Sequence, residues 1–400
     1  MLASRFTSVA KYSSLSVIYN LNNLTKFASL AANSQKIRCL YSKATLGLDG
    51  FVQTRQVILN QMSNISEKFK HKMTEYSNEE TNMIFTEDLK NMIHLSSNDE
   101  DIQLVIKMIK KFNQQNKQLR FGSYVFGPVV MRMFHHFNKP ELAFECFKAP
   151  ELNGFFDQLM SYQILLDLLF ENGKYKEILE AFDIIKGRQI DGLKYPRNVV
   201  VLVLAACYKM NTKESLDYAL KLWNELKDVG HYPMRRATTF CAGLAFNQGE
   251  PGIALEILTS ARNQNYTTVR NLKVAAMAEV GRVENALPVL KSILGEDVAA
   301  PNKHTFNKDV IERVRSAVAK LDNPEVTLEF NRIEEQLQKE GHIIDSNLDE
   351  QLCSEIQKPP VMNNRQPQRF QSNRPQFQNK RFPMKGGYRV RERPGLDELV

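Results

Sequence analysis

From Lys358 the chain reads KPPVMNNRQPQRFQSNRPQFQNKRFPMKGGYRVRERPG. Arg369, Phe370, Arg374, Phe377, Lys380, Arg381, Phe382 and Arg389 interleave cations with aromatic rings. One kind of chemistry suits that pattern. Cations meet phosphates while rings and guanidinium planes stack on bases, a grip on single-stranded nucleic acid that tolerates any sequence. The segment is rich in Gln, Asn, Pro and Arg and poor in aliphatic residues, a composition that predicts disorder. A solubilising linker without a partner has the same composition.

Covalent chemistry finds no comparable support. The sequence holds no H-E-x-x-H, no G-x-S-x-G, no G-x-x-x-x-G-K-S/T and no G-x-G-x-x-G. His135 and His136 are adjacent, so on a helix they point to different faces and make a poor metal pair. Asp99-Glu100-Asp101 falls where a helix should start, and carboxylates there serve the helix dipole. The five cysteines, Cys39, Cys146, Cys207, Cys241 and Cys353, are far apart with no C-x-x-C pair. That argues against a disulfide framework and a structural zinc site. No catalytic residue, metal or cofactor is expected.

The 400 residues carry 53 Lys+Arg and 45 Asp+Glu, a formal charge of +8. Its distribution matters more than its sum. Residues 1–43 hold six bases and no acid, and residues 358–400 hold ten bases and three acids. The stretch between, 44–357, has a net charge of −5. The first segment is Ser-rich, and Leu15, Ile18, Leu21, Leu24 and Phe27 recur at three- or four-residue spacing. A basic amphipathic leader of this kind marks a mitochondrial transit peptide, although a disordered basic arm would look similar. Arg38-Cys39-Leu40-Tyr41-Ser42 predicts a cut after Tyr41 and a mature matrix protein starting at Ser42 with a charge of about +3. The longest apolar run, Val199 to Cys207, is too short to cross a bilayer, which takes about 20 residues, so no membrane insertion is expected.

The body must position whatever the chain binds, and its elements read as helices. Ser77-x-x-Glu80 and Ser97-x-x-Glu100 have the form of capping boxes before apolar-periodic stretches. From Ser161, Tyr162, Leu165, Leu166 and Leu169 define one helical face. Asn172-Gly173 ends that helix, and Ile178, Leu179, Phe182 and Ile185 define a second. Neither helix is long enough to stand alone. A small or aliphatic residue followed four later by a large apolar one recurs as Ala143/Phe147, Ile178/Phe182, Ala219/Trp223, Ala254/Leu258 and Ala286/Leu290, at steps of 35, 41, 35 and 32. Turn residues precede these pairs at Asn138, Gly173, Gly249 and Gly281, with Met210-Asn211-Thr212 carrying a short insertion in the third unit. Two helices per period near 35 mean a solenoid. Pro288, inside the last second helix, should kink or shift it.

The unit at 161–190 resembles the pentatricopeptide repeat, with Tyr162 at its aromatic position, Gly173 at its turn and Glu177 to Phe182 along its second helix. Lys227-Asp228-Val229-Gly230-His231-Tyr232-Pro233 is similar to the K-x-x-G-x-x-P that ends such repeats. The tetratricopeptide repeat is a near neighbour, but its Trp-x-x-Leu-Gly pattern is missing. The resemblance implies an all-α fold, a right-handed α-solenoid with disordered ends. Its parts are a transit peptide at 1–41, a helical capping region at 42–122 and about five degenerate repeats at 123–301. Capping helices at 302–357 and the basic tail at 358–400 complete it.

The resemblance further implies RNA binding at one base per repeat, read by the residue after the helix-one aromatic and by the last residue of the repeat. The first position falls on Pro128, Gln163, Val201, Thr239 and Asn271, and the second on Arg197, Met234 and Tyr266. Val201 and Met234 cannot read a base edge by hydrogen bonding, so a shape-and-backbone mode or a short patch in units four and five is expected. Arg235, Arg236, Arg262 and Arg270, near helix ends of those units, would face phosphates, or else solvent and local acids. The implied protein is non-enzymatic. It binds mitochondrial single-stranded RNA, supports its processing and maturation and thereby the respiratory chain, and works with an RNA-processing nuclease or other matrix proteins. The alternative is a helical-repeat scaffold or assembly factor.

Overall fold

The computed structural model describes residues 39–79, 81–119, 124–294 and 304–356. The expected leader up to residue 38 and the basic tail, including every tail residue singled out above, lie outside the described residues. The described chain is helical apart from one two-residue strand pair.

Helices α1 (Lys43–Leu46), α2 (Leu48–Met62), α3 (Ser66–Asn78), α4 (Thr86–Leu95) and α5 (Asp99–Leu119) lead the chain. The two capping boxes are not where the sequence put them. Ser77 lies in the last turn of α3, and its hydroxyl donates to the Thr74 carbonyl. Asn98 caps α5: its Oδ1 accepts from Asp101 N–H at 2.8 Å while Asp101 accepts from Ser97 N–H at 2.8 Å. The competing acceptor one residue on wins because Asn is as good an N-cap as Ser.

Five helix pairs follow: α6 (Gly127–His136) with α7 (Pro140–Lys148), α8 (Leu159–Glu171) with α9 (Tyr175–Arg188), α10 (Arg197–Met210) with α11 (Lys213–Asp228), α12 (Arg235–Asn247) with α13 (Pro251–Thr259), and α14 (Thr267–Glu279) with α15 (Val283–Lys291). Each pair turns through a residue with positive φ, at Asn138, Gly173, Asn211, Gly249 and Gly281. Asn tolerates this conformation better than other side chains, so the third unit uses the same turn as the rest. The small-and-large pairs from Ala143/Phe147 to Ala286/Leu290 are all buried. Pro288 sits inside α15, which ends three residues later.

First helices pack on first helices: α6 on α8, α8 on α10, α10 on α12, α12 on α14. They therefore form one row, and the second helices flank it on one side. Ion pairs bridge successive units, among them Lys174–Glu141, Lys148–Glu180, Lys227–Glu256 and Lys291–Glu329. They are exposed, and each contributes about 0–1 kcal/mol. They link the second-helix side of one unit to that of the next.

Strand β1 (Phe306–Asn307) leads into α16 (Lys308–Leu321), which packs on α14, and α17 (Pro324–Lys339). Strand β2 (Ile343–Ile344) returns parallel to β1, followed by α18 (Leu348–Leu352). This last segment runs back over the first-helix row. Short α18 packs on α12 and α14, and Asp349 pairs with Lys209 at the end of α10. Ile356 then bridges to Tyr41: Ile356 N–H donates to the Leu40 carbonyl at 2.8 Å, and Ser42 N–H to the Ile356 carbonyl at 3.3 Å. Tyr41 N–H donates to Asp167 of α8 at 3.3 Å, and Arg132 of α6 donates to the Leu46 carbonyl at 2.8 Å. Residues 40–46 and 343–356 together cover the free face of the first helices from α6 to α14.

Candidate nucleic-acid interface

The two positions that the repeat pattern implies meet opposite fates. The first set lies inside. Gln163 is buried in α8, where its Oε1 accepts from Asn198 of α10 at 2.8 Å. Val201 is buried in α10. Thr239 is buried in α12, and its hydroxyl donates to the Arg236 carbonyl at 3.0 Å. Asn271 is buried in α14, where its Nδ2 donates to the carbonyls of Thr267 and Thr305 at 2.8 and 3.0 Å. Its Oδ1 accepts from Asn307 N–H at 2.9 Å. Gln163, Thr239 and Asn271 are therefore joints of the fold, and no base edge reaches them.

Arg270 and Arg236 are also corrected. Arg270 is buried in α14. Arg236 holds the returning segment: its guanidinium donates to the carbonyls of Leu352 at 2.5 Å and Ser354 at 2.8 Å, and to the Ser354 hydroxyl at 2.8 Å. Burial, and then the neighbouring Arg235, lower its pKa to about 10. Arg236 is taken up by a segment distant in sequence, and Arg270 lies inside the fold, so neither offers its guanidinium at the surface.

The second set lies outside. Arg197, Met234 and Tyr266 share a cleft of about 280 Å³ with Tyr232, Arg235 and Arg262. Arg197 and Arg235 are the first residues of α10 and α12, and Tyr266 is the residue before α14. Three successive first helices thus open on one edge, and their free N–H ends favour anions there. Two rings alternate with two guanidiniums: Arg262 lies 4.3 Å from the Tyr232 ring centroid and Arg235 lies 3.9 Å from that of Tyr266. Tyr232 is 64% exposed and Tyr266 40%, so the rings keep open surface although their cation partners are in place. Among the described residues, no carboxylate lines the cleft. The three arginines give it a local charge of +3, on a body whose net charge is negative.

Such a cleft attracts phosphate through its arginines and offers rings for stacking. Arg197, Arg235, Arg262 and the Tyr266 position were legible in the sequence, but Tyr232 and Tyr266 as stacking rings were not. A signal existed: Tyr232/Arg235 and Arg262/Tyr266 both fall at the entries to first helices, about one repeat apart.

The chain is thus a helical-repeat protein whose most distinctive surface is a cationic, aromatic edge. A mouse protein named mitochondrial pentatricopeptide repeat-containing protein 2 is 30% identical over 272 residues, covering 68% of this chain and 70% of its own length. The human protein of that name is 28% identical over 321 residues, covering 79% of this chain and 80% of its own. The chain belongs to the mitochondrial pentatricopeptide repeat-containing protein 2 family. No family model matches it. The crystal structure of the maize pentatricopeptide repeat protein PPR10 is similar over 73% of this chain and 42% of the maize chain, at 15% identity and a TM-score of 0.35, too low a likeness to argue from.

Proposed function

We propose that the protein binds single-stranded RNA in the mitochondrial matrix through the edge at Arg197, Tyr232, Arg235, Arg262 and Tyr266, without catalysing a reaction. The observation that carries this reading is the alternation of exposed rings and guanidiniums in one acid-free cleft. Cations hold the backbone, rings stack on bases, and recognition tolerates sequence. The basic tail beyond the described residues adds a second cationic, aromatic grip on the same ligand. An RNA held in this way presents or hides a processing site, recruits a nuclease, and so supports RNA maturation and the respiratory chain. The family's mitochondrial names and the basic leader support the compartment.

Fluorescence anisotropy with a labelled single-stranded RNA tests this on the full chain. Tyr232→Ala with Tyr266→Ala should weaken binding at least about 30-fold, since each stacked base contributes about 1–3 kcal/mol. Arg197→Gln, Arg235→Gln and Arg262→Gln together should also flatten the dependence of log affinity on log salt, by about 0.7 per lost phosphate contact. A chain ending at Gln357 separates the two grips. Affinity that survives all substitutions and vanishes with the tail would place binding in the tail alone. No binding by any form would make the protein a scaffold or assembly factor.

A further inference from the structure

A different part of the molecule holds a cluster that the RNA reading does not use. His135 closes α6, and Asp167 and Glu171 stand one turn apart on α8, facing it. His135 Nε2 lies 3.3 Å from Asp167 Oδ2 and 3.6 Å from Glu171 Oε2, and the three donor atoms fall within 4.8 Å of one another. Cys39, on the segment that crosses α8, lines the same cavity as His135 and Glu171, outside that group of three donor atoms. We propose that His135, Asp167, Glu171 and Cys39 bind one zinc ion, which fastens residues 39–42 to α6 and α8.

Geometry supports the assignment. Tetrahedral zinc with ligands at about 2.0–2.3 Å has ligand–ligand edges of about 3.3–3.7 Å; both His135–carboxylate separations fall on that edge, and the two carboxylates lie within 4.8 Å of each other. One nitrogen, one sulfur and two carboxylate oxygens are a zinc set. Calcium and magnesium take six or more ligands, nearly all oxygen. A supporting contact is already in place. Tyr41 N–H donates to Asp167 Oδ1, which fixes the carboxylate and leaves Oδ2 turned to His135.

Electrostatics points the same way. The Asp167 side chain is 0% exposed and Glu171 is close to it, yet among the described residues the only ion-pair partner of either is His135. Two carboxylates therefore face one imidazole, which can balance at most one of their charges. A divalent cation would supply the rest. An entry path exists: a cavity of about 740 Å³ opens onto Cys39, His135 and Glu171. Sequence reasoning set His135 aside because its neighbour His136 points elsewhere, but the other ligands come from a different helix and from the leading segment.

The test uses the full chain stripped with a chelator and titrated with Co²⁺ as a spectroscopic stand-in for zinc. Expected are visible bands of tetrahedral intensity, a near-ultraviolet thiolate-to-cobalt band, saturation at one ion per chain and displacement by Zn²⁺. Cys39→Ser should abolish the thiolate band. His135→Gln should weaken uptake at least tenfold. Glu171→Gln, at the accessible rim of the cluster, serves as the independent variant should His135→Gln fail to fold. Zinc should raise the melting temperature of the natural chain and leave that of the Glu171→Gln chain nearly unchanged. No saturable uptake, or uptake that these variants leave unaltered, would reduce the cluster to a hydrogen-bonded ion pair.

Discussion

At the scale of single residues, chemistry written in a side chain counts for less than what covers it. Asn271 has the functional groups to read a base, yet all its capacity goes to Thr267, Thr305 and Asn307. Asn271→Leu would leave the buried Asn307 N–H and Thr305 carbonyl unpaired. Since each such group costs about 1–3 kcal/mol, it should destabilise the chain by about 2–5 kcal/mol in urea unfolding without changing RNA affinity per folded molecule. A loss of affinity with unchanged stability would return Asn271 to the role the repeat pattern implied. His94 illustrates burial of a titrating group. It stacks on Phe51 at 4.8 Å and lies beside Arg55 and Lys90, and burial first, then those cations, lower its pKa to about 4. Between about pH 6.5 and 4 the unfolded chain binds a proton there that the folded chain refuses, so stability falls as pH drops through that window. The cost reaches about 3 kcal/mol at the bottom of it. His94→Gln should therefore be the less stable chain at pH 8 and close the gap on the natural chain as the pH approaches 4. A gap that stays constant would contradict the assignment.

At the scale of elements, local signals were legible and long-range ones were not. The paired helices, their left-handed turns and the buried Ala143/Phe147-type contacts follow from spacing alone, because a turn and an apolar stripe are properties of neighbours in sequence. The strap formed by residues 343–356 has no such signature. Short α18 carries no repeat motif, and its site on α12 is set by Arg236 and Gly243, more than a hundred residues earlier. A Cβ on Gly243 would come within 3.1 Å of both Leu352 and Tyr208, so this helix keeps a glycine where the strap presses closest. Whether the free face of a repeat is open or filled thus depends on contacts the local pattern does not encode, and Asn271 and Arg236 are taken up in that way. Arg236→Leu should cost about 2–4 kcal/mol, the loss of several charge-assisted bonds to carbonyls that stay half-buried, and should expose 343–356 to protease before the helix pairs are cut. Simultaneous cutting everywhere would mean that the strap and the repeats unfold as one unit.

At the scale of the whole molecule, the strap ties the two ends of the described chain to each other, and this bears on where the mature protein begins. The sequence motif places a cut after Tyr41, which would leave Ser42 as the first residue. Leu40 and Tyr41 are both buried, however, and Leu40 provides the carbonyl that receives Ile356 N–H. Losing them would remove two large apolar side chains from the core, at about 1.5–3 kcal/mol each. It would also unpair Ile356, take away the Tyr41 N–H that Asp167 accepts, and remove Cys39 from the cavity it shares with His135 and Glu171. Nothing in the packing compensates for these losses, because the same three residues join the leading helices, α8 and the strap. The mature chain recovered from mitochondria should therefore start at or before Cys39, as read by N-terminal sequencing. A start at Ser42 would show that the end-to-end bridge is dispensable. It would then be checked by comparing chains that start at Cys39 and at Ser42 in thermal melts, where the packing requires the shorter one to melt lower by several degrees.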